Sequence, residues 1–189
     1  MDFTMTRESS VAKAAVKVTA VFSFAFLMCV GASIRIPLPF SPVPLTGQTF
    51  FVLLSGAMLG GALGAASQLI YILLGLAGYS IFAASGSGSL YLAGPTGGYI
   101  FGFVLASLIC GTLIRPGRVS GIRVLGVFLL SEMLILLCGV YWLKLVTGQP
   151  LGRLFLIGAL PFIPGDCVKA LCACGVYRVY DRVVGNKLK

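Results

Sequence analysis

The sequence predicts an all-α integral membrane protein with six transmembrane helices, and three observations carry that prediction. The 189 residues are 58% hydrophobic and only 10% charged, with a mean hydropathy of +1.03. From Ile36 to Ile114 there is not one Asp, Glu, Lys or Arg, a run that a soluble surface does not tolerate and a bilayer favours. The 14 Lys and Arg residues, finally, sit between the apolar runs and at the two ends rather than in one patch. That spacing reports membrane orientation and argues against nucleic acid as a partner, despite a net charge of +9. A single membrane domain over residues 1–189, with no soluble companion, is the natural count.

The first span is expected at 18–34, after a polar, basic start with Arg7, Lys13 and Lys17. A signal peptide begins the same way, but several spans follow, so a retained first span is expected. Pro37, Pro39, Pro42 and Pro44 then forbid helix and impose a stiff, extended connection suited to a lid. The apolar run from Gln48 to about Gly78 exceeds one crossing and divides at Gly60-Gly61 into spans at 48–59 and 62–77. Gly56, Gly60 and Gly64 are spaced for close helix packing in lipid, so turn and packing compete for Gly60. Tyr79 to Pro95 reads as an uncharged, flexible Ser/Gly/Ala loop.

Gly94-Pro-Thr-Gly-Gly-Tyr99 opens a fourth span at 95–113, with Pro95 in a first-turn position. Arg115, Arg118 and Arg123 form a basic loop, and a fifth span at 124–143 carries Glu132 near its middle. Pro150, Pro161 and Pro164 bracket a connection to the sixth span at 165–180. Ten of the 14 basic residues fall on the side of the termini and three (Arg35, Lys144, Arg153) on the other, with Lys169 inside a span. Both termini are therefore expected in the cytoplasm.

No histidine is present, which removes Ser/His/Asp and Cys/His catalysis, and no GxxxxGK[ST] loop exists to hold ATP. The six cysteines lie in apolar runs without a CxxC, so they read as small buried hydrophobes rather than disulfides or a metal site. Asp166, Lys169 and Glu132 are the in-span ionisable groups, a poor kit for a membrane enzyme. No enzyme activity, cofactor or metal is expected.

Asp166 and Lys169 are three residues apart, one helical turn on one face, so carboxylate and ammonium can meet or flank one ligand. Ionisable residues in lipid usually face a partner or a polar cavity. Two plainer roles compete: Asp166 as N-cap of the last helix after Pro164-Gly165, and Lys169 snorkelling to the interface. The predicted orientation favours the ligand reading, because the proline-rich connection and the Ser/Gly loop converge on the same, external end.

Val43-Pro-Leu-Thr-Gly-Gln-Thr49, Gly94-Pro-Thr-Gly-Gly-Tyr-Ile-Phe-Gly-Phe103 and Pro161-Phe-Ile-Pro-Gly-Asp-Cys-Val-Lys169 resemble the three signature segments of the BioY family, the biotin-specific S components of energy-coupling-factor transporters. The resemblance runs from about Lys13 to Tyr180. It implies a six-helix fold in the plasma membrane that binds biotin on the outer side. It further implies a transmembrane T subunit and two ATPases as partners, which fits the missing phosphate loop. The Asp and Lys of that family's PGDxxK motif carry over to Asp166 and Lys169. Biotin's carboxylate asks for a cation, supplied by Lys169 or by Arg35 from the lid. Tyr91 or Tyr99 suits the bicyclic ring, and Gln48 and Ser85 suit its remaining polar atoms, with packing as the competing role. In place of the AxxxA docking pattern common on the first helix of S components stand Ala15, Thr19 and Ser23. A stand-alone biotin facilitator and an S component for another vitamin are the alternatives.

Overall fold

The computed structural model describes residues 2–114 and 119–185. Arg115, Arg118, Lys187 and Lys189, which enter the orientation argument, lie outside the described residues. Among the described residues the chain is mostly helical: α1 (Asp2–Ser33), α2 (Gln48–Leu59), α3 (Gly61–Leu76), α4 (Gly88–Ala93), α5 (Gly97–Leu113), α6 (Gly121–Thr147), α7 (Leu151–Gly158) and α8 (Ile163–Gly185). Two short strands, β1 (Arg35–Ile36) and β2 (Leu45–Thr46), pair antiparallel between α1 and α2. They make the proline-rich connection a hairpin.

Several boundaries differ from expectation, each for a local reason. Helix α6 runs past Leu143 because Lys144-Leu-Val-Thr147 holds no breaker; Gly148, left-handed at φ 67°, closes it by donating its N–H to Lys144 O at 2.9 Å. The expected flexible loop over 79–95 is ordered by a 3-10 turn (Ala83–Ser85) and by α4. The expected connection before the last helix contains α7, since Pro150 stands just ahead of a helix start and Leu151–Gly158 continues without proline. Pro164 falls in the first turn of α8, where a missing N–H costs nothing. Cys167 and Cys172 are exposed on α8 rather than buried.

By length and apolarity, α1 from Val11 and α6 can each cross a bilayer, and α7 with α8, bent by 49°, can make a third crossing. Helices α2, α3 and α5 are apolar but shorter. They pack as the centre of the bundle, where small residues set the spacing. A Cβ on Gly64 would lie 2.8 Å from Gly56 Cα, and one on Gly111 would run into Gly61 N and Gly56 O. Gly60 has no such neighbour; its φ of 84° makes it the turn between α2 and α3, so its role is conformational and the packing reading fails there.

Two hydrophobic clusters divide the core. One, around Val52, Tyr71, Phe103, Ile135, Leu143 and Phe162, lies beneath the hairpin and α4. The other, around Leu53, Cys110, Phe128, Ala173 and Tyr177, fills the opposite end, where Tyr180 OH donates to Met58 O at 3.3 Å.

Candidate ligand site

At the hairpin end the helices part around a small, partly open cavity lined by residues of α2, α5, α6, α8 and the hairpin. Asp166 and Lys169 stand in it together. Their side chains are 6% and 16% exposed, and Lys169 Nζ lies 2.6 Å from Asp166 Oδ1. The ammonium also donates to Thr46 O on β2 at 3.1 Å. Lys169 is thus bonded inward rather than snorkelling. Asp166 is not the N-cap; its carboxylate sits in the first helical turn, and its own N–H donates to Phe162 O at 2.9 Å.

Hydrogen bonds hold the remaining walls. Gln48 opens α2, accepts from Thr46 Oγ1 at 3.2 Å and donates through Nε2 to Tyr71 OH at 2.8 Å. Tyr71 OH donates onward to Ile81 O at 3.2 Å, so one relay ties the hairpin, α2, α3 and the segment before α4. Tyr99 OH donates to Gly158 O at 2.6 Å, which locks α5 to α7 and leaves the ring, not the hydroxyl, for the cavity. Tyr91 of α4 stacks on Phe82 with centroids 5.1 Å apart, and Phe82 meets Tyr71 edge-on. This gives the cavity a flat aromatic edge. Trp142 Nε1 donates to Gly94 O at 3.0 Å and fixes the approach to α5.

Five of the seven expected ligand residues therefore meet: Asp166, Lys169, Gln48, Tyr91 and Tyr99. Arg35 and Ser85 do not join them. They line a separate cavity of about 710 Å³ with Cys29, Ser33 and Phe82. Ser85 sits in the 3-10 turn, where Ala84 and Ser85 take positive φ (60° and 58°), and Arg35 sits on β1. Sequence reasoning missed Thr46, Thr49 and Thr96, which line the main cavity. Their signal lay inside two of the quoted motifs, Pro44-Leu-Thr-Gly-Gln-Thr49 and Gly94-Pro-Thr96. A third crevice, of about 890 Å³ and almost wholly apolar, lies between α6, α7 and α8 and shares Leu136 and Asp166 with the main cavity.

The arrangement offers one cation and one carboxylate in close contact, apolar and aromatic walls, and, among the described residues, no nucleophile with a base beside it. It can bind and orient a ligand that carries both hydrogen-bond donors and an anionic group. Comparison with known proteins agrees with the motif resemblance: a model of the BioY family matches residues 5–186. The chain belongs to the BioY family. Similar BioY relatives include the probable biotin transporter BioY of Pyrococcus horikoshii, 41% identical over 170 residues, which are 90% of this chain and 97% of that one. The biotin transporter BioY of Thermotoga maritima is 36% identical over 156 residues, 79% of this chain and 86% of that one. In fold, the chain superposes on the crystal structure of an S-component for biotin from an ECF-type ABC transporter with a TM-score of 0.84. That match covers 90% of this chain and 93% of the other at 23% identity.

On α1, Ala15, Thr19 and Ser23 share an exposed face, with Ser23 Oγ bonded to Thr19 O at 2.9 Å. Gly56 and Gly64 lie inside the bundle instead, so the two small-residue groups serve different surfaces.

Proposed function

We propose that this chain is the biotin-binding S component of an energy-coupling-factor importer in the plasma membrane, crossing six times with both termini cytoplasmic. It captures biotin from outside and releases it inward with energy from a T subunit and two ATPases. Membership of the BioY family, the names of the relatives and the shared fold support the class of function. The observation that carries the ligand site is the Asp166–Lys169 pair, held in one cavity by all three signature segments.

Lys169 supplies the cation of the cavity, and Asp166 holds it in place and accepts a ureido N–H. The Tyr91 and Tyr99 rings flank the bicycle, while Gln48, Thr46, Thr49 and Thr96 surround its polar edge. The hairpin, through Val43 and Pro44, forms the roof. The exposed Ala15/Thr19/Ser23 face suits close approach of a T-subunit helix, since small residues let helix backbones meet in lipid.

Equilibrium titration of biotin into the purified, detergent-solubilised chain tests this reading, alongside Lys169→Ala and Asp166→Ala. The wild type should bind tightly and both variants weakly. A wild type that ignores biotin ends the ligand assignment, and unchanged binding in both variants moves the site elsewhere.

A further inference from the structure

Glu132 is the least explained side chain in the bundle. It is 3% exposed, near the middle of α6, and neither carboxyl oxygen has a hydrogen-bond partner. It stands one turn before Leu136, which lines the main cavity, so it lies directly beneath that cavity's floor. Asp166 and Lys169 are within its electrostatic reach, and the Thr49 hydroxyl stands beside it, also buried and without a closed hydrogen bond. Ionisable residues inside a membrane segment are costly and mark ion or proton pathways when they face a cavity. Glu132 does face one: it lines the crevice between α6, α7 and α8, which meets the main cavity at Leu136 and Asp166.

We propose that Glu132 is a proton-exchanging site linked to the ligand cavity, so that an anionic ligand binds together with a proton drawn from the solvent. The inference rests on the biotin reading above. Lys169 is the one cation among the described cavity residues, and it already serves Asp166. A ligand carboxylate arriving at that ammonium adds negative charge beside Glu132, and a proton on Glu132 removes the conflict. Of the two carboxylates, Asp166 has a bond to Lys169 to lose and Glu132 has none. The step is a simple protonation, in which one O–H bond forms on Glu132 and one breaks on a solvent or buffer acid.

Among the described residues no other packed group competes for this role. From α5, Tyr99 and Cys110 are tied to Gly158 O and Leu53 O. From α7, Arg153 is exposed, and α2 brings no titratable group. On α8 the facing groups are Asp166, Cys167 and Lys169, and on α6 the neighbour is Ser131. Binding linkage is reciprocal, so a ligand that favours the proton is itself favoured by it.

The test is isothermal titration of biotin into the full, detergent-solubilised chain at one pH, in two buffers of different ionisation enthalpy, which yields protons taken up per biotin. Wild type should take up a measurable fraction of a proton, and its affinity should fall by up to about tenfold per pH unit where Glu132 titrates. Glu132→Gln should still bind biotin with no uptake and a flat pH profile; Glu132→Leu provides a second reading if the amide fails to fold. The neutral analogue biotinamide should show no uptake with any form. Equal proton counts in wild type and Glu132→Gln, or none in wild type, overturn the proposal while leaving biotin binding intact. No binding by wild type at all removes the biotin reading and this inference with it.

Discussion

Two polar clusters are buried in this bundle, and they are finished differently. Between α2, α3 and α5, Ser55 bonds Ser107 at 3.0 Å, Gln68 Nε2 donates to Ser55 at 2.9 Å and to Ser67 at 3.1 Å, and Ser55 and Ser67 donate to backbone oxygens. Only Gln68 Oε1 is left over in that network. Between α2, α6 and α8, by contrast, the Thr49 hydroxyl and both oxygens of Glu132 are left without a closed hydrogen bond, and the only ion pair among the described residues there is Asp166–Lys169. A satisfied buried network rigidifies a helix seam. An unsatisfied one retains free donors and acceptors, which costs stability and leaves capacity for something that comes and goes. The first cluster is finished as scaffold, and the second is the one we propose as the site.

That contrast is open to direct attack, beginning with the change of largest effect. Lys169→Ala strands the buried Asp166 carboxylate without its cation, a loss of about 3–5 kcal/mol for a broken buried pair. Biotin affinity should then fall at least about 100-fold in a titration, and a loss under about threefold would erase the distinction between the clusters. Next in size is Gly111→Leu, which drives a side chain into the α2–α3 turn; overpacking of this kind costs about 1–3 kcal/mol or more. It should lower the thermal unfolding midpoint sharply, with any loss of ligand binding following the loss of fold. Ser107→Ala opens the closed network and should cost about 1 kcal/mol of stability with biotin affinity unchanged. Weakened binding there would show that the scaffold cluster belongs to the site. Smallest of all, Arg35→Ala and Ser85→Ala should each shift affinity less than about twofold, as exposed positions usually do. A larger shift would join their cavity to the ligand site.

Much of this architecture is legible in the amino-acid sequence. Helix order follows from the apolar runs and their breakers, and the Asp166–Lys169 contact follows from a three-residue spacing on one helix face. Helix α7 is hidden because prolines at 150, 161 and 164 read as a connection, while the eight residues after Pro150 contain no proline. Gly60 is ambiguous because one spacing encodes both a packing stripe and a turn, and only the backbone angle separates them. Arg35, on β1, and Ser85, on a turn whose Ala84 and Ser85 are left-handed in a way no propensity forecasts, line the neighbouring cavity instead of the main one. The threonines stand in plain view within the motifs. A hydroxyl carries little signal until its surroundings are known.

The short α2–α3 hairpin has a consequence beyond packing. At 1.5 Å per residue, the 12 residues of α2 and 16 of α3 rise about 18 and 24 Å, against a hydrocarbon layer of about 30 Å. Leu69 and Leu73 of α3 face outward, so lipid meets this hairpin directly. A bilayer touching it either thins locally or leaves the Gly60 turn submerged, and each choice carries an energy that grows with mismatch. Any such mismatch falls on the hairpin whose first helix opens with Gln48 and Thr49.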